Sequence, residues 1–163
     1  MSARGRIDTP IDPRDLAGDF AHRVEIDVRF RDTDAMGHVN NAVYLTYCEM
    51  ARIRYWTDVT GEPVTHRHVG TESLILAEAR ITYRAQAFYG EIITVQTRAT
   101  RIGRSSFTLE HRLLSAEPDM AARLVAVSDS VLVRYDYAAA SPAALSEDQV
   151  AAIEAYEGRR LRG

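Results

Sequence analysis

The run from Arg29 to Arg52, RFRDTDAMGHVNNAVYLTYCEMAR, sets Asp32, Asp34, Gly37 and His38 in a short connector ahead of a stretch with helical apolar spacing. A helix start offers backbone amides with no partner and a partial positive charge. An aspartate about six residues upstream can lie beside that end. Carboxylate and amide could then act together on one carbonyl, the first as nucleophile or water activator and the second as donor to the developing oxyanion. The same spacing equally suits a turn aspartate that bonds local amides. Asp32 reads as a turn-former or as a partner of Arg31 or Arg52. Gly37 supplies backbone freedom or close approach of a substrate. His38 suits either orientation of water or substrate, or a plain capping position.

These residues need elements to hold them. Upstream, Val24, Ile26, Val28 and Phe30 alternate with Glu25, Asp27 and Arg29, the period of a half-buried strand. Downstream, a helix is expected from a cap at Asn40 or Asn41 to about Asp58. Tyr44, Tyr47, Cys48, Ala51 and Tyr55 form its broad apolar arc, and Thr46, Glu49 and Arg52 its polar edge. Such a helix must be wrapped. Four runs rich in β-branched and aromatic residues follow: SLILAEARITYRA, EIITVQTRAT, SSFTLEHRLL and ARLVAVSDSVLVRYDY. In the first, Ile75, Ala77, Ala79, Ile81 and Tyr83 alternate. Glycine connectors in FYGE and RIGRSS imply antiparallel pairing, so the class is α+β. A last helix is expected over Ser146 to Glu157, with Ser146 and Gln149 as a capping box and a frayed tail beyond it. The domain plan is an arm at 1–20, one domain at 21–138, and a helix and tail at 139–163.

The totals narrow the function. The chain has 163 residues, 46% of them apolar, with a net charge of −3 from 20 basic and 23 acidic side chains that are interspersed. No basic stripe follows a nucleic-acid backbone, so nucleic acid is not an expected partner. Arg84, Arg98, Arg101 and Arg104 could converge on a phosphate-bearing anion or simply face solvent. No apolar run reaches bilayer length, so no membrane span is expected. The first residues lack a secretory core, and the lone Cys48 can form no internal disulfide, so a cytoplasmic location is expected. His66 and His68 are too few for a metal site, and neither metal nor cofactor is assigned.

FRDTDAMGHVNNAVYLTYCEMAR resembles the signature of the hotdog-fold acyl-CoA thioesterases of the 4-hydroxybenzoyl-CoA thioesterase-like family, and the later strands are similar to that group. The resemblance covers about Val24 to Asp136. It implies an antiparallel sheet curled round one central helix, with active sites at subunit interfaces of a homodimer or homotetramer. It also implies Asp34 as the catalytic acid, Gly37 as the glycine of its loop, and the amide near Asn41 polarising the thioester carbonyl, with His38 beside them a candidate to orient water or substrate. Acyl-CoA, or an acyl carrier protein thioester, is the implied substrate. Asn40, Tyr44, Arg84, Arg104 and Ser105 are the substrate contacts expected by position. The pattern departs from the family where Ala35 replaces the usual proline and Glu91 the usual aspartate. Two other readings fit the same fold: a non-catalytic acyl-CoA binder or sensor, and an enoyl-CoA hydratase, whose D-x-N-P-x-H pattern is missing here.

Overall fold

A computed structural model describes residues 18–64, 72–118 and 120–163; the His66 and His68 pair lies outside them. Strand β1 (His22–Asp27) leads through a 3-10 turn (Phe30–Asp32) to helix α1 (Asn41–Thr60). Strands β2 (Glu72–Tyr83), β3 (Ile92–Ile102), β4 (Ser106–Ala116) and β5 (Arg123–Asp136) follow, then a two-residue β6 (Ser141–Pro142) and helix α2 (Glu147–Glu157). The sheet runs β1-β3-β4-β5-β2, every pair antiparallel, with β6 added to the end of β5. This is the α+β hotdog fold that the strand spacing and the resemblance led us to expect.

Helix α1 is wrapped as its composition demands. Tyr47, Ala51 and Tyr55 are fully buried, and Tyr44 and Trp56 are each 3% exposed. One apolar cluster joins Tyr44, Tyr47 and Cys48 to Ile93, Val95, Leu113 and Val125. A second joins Tyr55 and Trp56 to Phe107, Leu109 and Ile153, with Trp56 stacked on Phe107 at 5.4 Å between centroids. A polar row lies between the strands and the helix: His22, Thr97, His111 and Ser128 are register partners across β1, β3, β4 and β5, and all are buried. Thr97 Oγ1 bonds His111 Nδ1 at 3.0 Å. Burial, then the charges of Arg52 and His22, hold His111 neutral by lowering its pKa to about 3. Cys48 is buried beside this row, and desolvation pushes its thiol up to about 11.

Three sequence expectations change. The first strand stops at Asp27 and Phe30 is 77% exposed, because Asp32 takes the Arg29 amide at 3.0 Å and turns the chain into a 3-10 helix. Strand β2 does not alternate throughout: a bulge between Leu76 and Glu78 shifts the register. Leu76 pairs with buried Leu132, whereas Ala79 and Ile81 pair with buried Ser130 and Ser128, so Leu74 and Leu76 face α1 before the bulge and Ala79, Ile81 and Tyr83 after it. The tail beyond α2 is docked, not frayed. Leu161 is 8% exposed, Ile102 N–H donates to its carbonyl at 3.1 Å, and Glu154 accepts from the Leu161 amide at 2.8 Å. Helix α2 itself starts as expected, with Ser146 and Gln149 forming a reciprocal capping box.

Candidate active site

The connector folds into a small antiparallel ladder. Asn40 N–H donates to the Asp32 carbonyl at 2.9 Å, Thr33 bridges Val39, and Asp34 N–H donates to the His38 carbonyl at 3.1 Å. Asp34 and His38 therefore face each other at the tip, a few residues from the start of α1. Gly37 closes the tip through its N–H to the Asp34 carbonyl at 2.9 Å, at φ +80°, a left-handed conformation that a side chain would strain.

The two aspartates of this loop have different surroundings. Asp32 is 2% exposed and accepts from the Arg29 guanidinium at 2.9 Å, the Arg29 amide at 3.0 Å and the Tyr47 hydroxyl at 3.0 Å. Its partner is thus Arg29, where sequence pointed to Arg31 or Arg52; Arg31 is exposed and Arg52 pairs with Glu49. Burial alone would raise the Asp32 carboxyl, but the hydrogen bonds from Arg29 and Tyr47 outweigh it and hold the group below its ordinary range. Asp34 is half-buried, and its Oδ1 accepts the Met36 amide at 2.9 Å. Its Oδ2 has no hydrogen-bond partner among the described residues. The local turn bond and a free carboxylate oxygen coexist.

At the helix start, Asn40 is the cap, with extended backbone and its side-chain oxygen accepting Ala42 N–H at 2.9 Å. Its carbonyl accepts Val43 N–H at 3.0 Å. That leaves the Asn41 N–H, which donates to no acceptor among the described residues. The Tyr83 hydroxyl, at the end of β2, donates to the Asn41 carbonyl at 2.7 Å. His38 is half-buried, with Nδ1 3.4 Å from the Val39 carbonyl.

A buried ion pair supports the loop from behind. Val39 N–H donates to the Ala87 carbonyl at 2.8 Å. On either side of Ala87, Arg123 holds the Gln86 carbonyl at 2.7 Å and Glu91 accepts Phe88 N–H at 3.0 Å. Glu91, 2% exposed, pairs with Arg123 at 2.7 Å and accepts from Ser115 at 2.6 Å. Burial would raise its carboxyl, but these bonds prevail and keep it low. Glutamate thus fills the place where the family pattern has aspartate.

Of the other expected contacts, Tyr44 lies behind the site, packed edge-on against Tyr83 at 5.4 Å, with burial pushing its hydroxyl up to about 12. Arg84 follows Tyr83 and bonds the Val125 carbonyl through its amide at 2.8 Å, at the helix-start end of the sheet. Arg104 and Ser105 are not brought to the loop within one chain. They sit in the β3–β4 turn, the length of β3 away from Glu91, roughly 33 Å at the usual strand rise. Arg98 pairs with Glu110 and lies over Phe20, so the four arginines do not converge. Sequence reading missed Arg52, expected on the helix's polar edge but only 9% exposed. Among the described residues no group of three or more His, Cys, Asp or Glu side chains could hold a metal ion, and no helix is long and apolar enough to cross a membrane.

A sheet wrapped on one long helix, with a carboxylate loop at the helix start, defines a hotdog fold of the thioesterase type. The family model of the thioesterase-like superfamily matches residues 28–153. The chain belongs to that superfamily. A thioesterase from Thermus thermophilus, solved with coenzyme A and zinc, is 36% identical and superposes with a TM-score of 0.72 over 87% of this chain and 98% of that one. The zebrafish (Danio rerio) Protein THEM6 is 33% identical over 88 residues, 54% of this chain. The chloroplastic acyl-acyl carrier protein thioesterase ATL3 of Arabidopsis thaliana is 28% identical over 109 residues, 65% of this chain. The chain spans 43% of the length of the zebrafish protein and 57% of that of the Arabidopsis protein.

Proposed function

We propose that the protein hydrolyses an acyl-CoA thioester to the free acid and coenzyme A. The reading rests on one observation above all: Asn40 caps the Ala42 amide and leaves the preceding amide, that of Asn41, without an acceptor, at the end of the loop that carries Asp34. A thioester carbonyl oxygen is the acceptor that such an amide suits, since the positive end of α1 stabilises negative charge there. Asp34 then acts from the other side through its free oxygen. As general base it takes a proton from water while the water oxygen attacks the carbonyl carbon. The tetrahedral oxyanion sits on the Asn41 N–H and collapses with cleavage of the C–S bond, and the departing CoA sulfur takes the proton that Asp34 removed from water. As nucleophile it forms a mixed anhydride that water opens. Gly37 shapes the loop tip, and His38, opposite Asp34, is placed to orient water.

The site is completed by a second copy. Among the described residues β2 pairs only with β5, so one edge of this twelve-residue strand is open. Two such edges joined antiparallel about a two-fold axis set the far end of one sheet beside the helix start of the other. Arg104 and Ser105 of the second copy then reach the CoA phosphates near this chain's Asp34, with Arg84 on the near side. Coenzyme A bound to the Thermus thioesterase supports a CoA carrier, whereas the Arabidopsis relative makes an acyl carrier protein the alternative donor.

The test is thiol release from a panel of acyl-CoAs and acyl carrier protein thioesters. Release from the wild type, reduced about 10²- to 10⁴-fold in a folded Asp34→Asn variant, is the expected result. Binding without release identifies a sensor. Normal turnover by Asp34→Asn removes Asp34 from the chemistry.

A further inference from the structure

Halfway along α1 a cavity of about 150 Å³ opens between the helix and strands β2 and β5. Ile53, Leu74, Leu76 and Leu132 supply apolar walls, and Glu49 and Arg52 are its charged lining. Leu74 and Leu76, which share one face of β2 ahead of the bulge, both line it. The cavity is too small for a whole substrate and suits the end of one.

Arg52 is unusual for an arginine. Its side chain is 10% exposed, and its single hydrogen bond among the described residues runs from Nη2 to Glu49 Oε1 at 3.1 Å. A guanidinium has five N–H donors. Arg52 lines the cavity, and its remaining donors have no acceptor among the described residues. Desolvation lowers its pKa, as expected for a cation with so little water around it. Glu49 is 54% exposed, and its Oε2 has no partner among the described residues. A group entering here meets donors from Arg52 and an acceptor from Glu49, on a pair that is neutral overall. A methyl end would strip water from Arg52 and return nothing. A carboxylate end would meet Glu49. A hydroxyl can accept from one and donate to the other.

The cavity also shares its two elements, α1 and β2, with the catalytic end. Tyr83 of β2 bonds the first residue of α1, and Leu76 and Leu74 of the same strand line the cavity beside Glu49 and Ile53. Glu49 lies eight residues beyond Asn41, roughly 12 Å along the helix. An extended chain advances about 1.2 Å per atom, so about ten atoms span that distance.

We propose that this cavity is the far-end acyl subsite, where Glu49 and Arg52 receive a terminal hydroxyl on a medium-length acyl chain. The inference rests on the thioesterase reading and adds the substrate class. The test compares kcat/KM for decanoyl-CoA, ω-hydroxydecanoyl-CoA and the ω-carboxylate of the same length. The wild type is expected to favour the hydroxyl end over the methyl end by about 10- to 100-fold. Arg52→Met reverses that order. Glu49→Gln, which removes the repelling charge, raises turnover of the carboxylate-ended substrate about tenfold and serves if Arg52→Met does not fold. Equal or faster wild-type turnover of decanoyl-CoA overturns the subsite while leaving the thioesterase reading intact. Failure to cleave any of the three, or any other acyl-CoA, removes both.

Discussion

The two ends of α1 are finished in opposite ways. At the C-terminal end, Gly61 takes the left-handed conformation and its N–H returns to the Thr57 carbonyl, while Thr60 Oγ1 donates to Trp56 at 2.7 Å. The Tyr55 hydroxyl reaches Glu157 of α2 at 2.6 Å, and the same Glu157 oxygen accepts Ala99 N–H at 2.7 Å. Helix, sheet and second helix are locked together there. At the N-terminal end, one amide and one carboxylate oxygen have no partner among the described residues, within a loop otherwise tied down by Asp32 and the Glu91–Arg123 pair. An enzyme must hold its reactive groups still without satisfying them. The sealed end shows what satisfaction looks like in this chain, and the open end carries the groups that the proposed reaction would use.

Substitutions can break this contrast. The largest effect after loss of Asp34 itself is expected from Asn41→Pro, which deletes the Asn41 N–H. Proline is tolerated at the first helical position, and Asn40, at φ −60° and ψ 138°, already has the extended backbone that a following proline requires. Turnover should fall about 10²- to 10³-fold with far-UV circular dichroism retained. Full activity in a folded Asn41→Pro would show that this amide is not the oxyanion donor.

Asp32→Asn tests the tied-down half of the loop and should act on stability first. It weakens the Arg29 pair and disturbs a buried bond to Tyr47, at a cost of about 1–3 kcal/mol, read as a fall of roughly 2–12 °C in Tm. The pH dependence has a definite sign. The folded-state pKa of Asp32 is depressed, so its stabilisation is present above the unfolded value near 4 and is lost as pH falls through the lower folded value. The gap between wild type and variant should therefore close on acidification. A gap that widens would contradict the assignment.

The smallest effect belongs to the sealed end. Tyr55→Phe removes one bond to Glu157, whose acceptor keeps Ala99, and should cost about 1 kcal/mol. Turnover should not change, which a parallel thiol-release assay would check. A loss of activity there would mean that the two ends are coupled.

Much of this was legible in the chain. The alternation in Ile92 to Ile102 and Ser106 to Ala116, the caps at Asn40 and Ser146, and the loop spacing of Asp34, Gly37 and Asn41 are local signals, and local signals survive folding. What escaped was set by contacts distant in sequence. The bulge in β2 depends on its register with β5, and Arg52 lines its cavity with leucines of β2 and β5 that lie far from it in sequence. Asp32 found Arg29 because the 3-10 turn brings their side chains together, a geometry that the pattern of charges alone does not specify. The docked tail depends on Glu154 meeting amides seven and eight residues on.

Cys48 makes the proposed assays practical. A thiol this deep, with so small a thiolate fraction at neutral pH, stays silent toward aromatic disulfide reagents while the fold is closed. Colour in a coupled assay then reports released coenzyme A, and slow labelling of the protein itself becomes a clock for the lifting of α1 off its sheet.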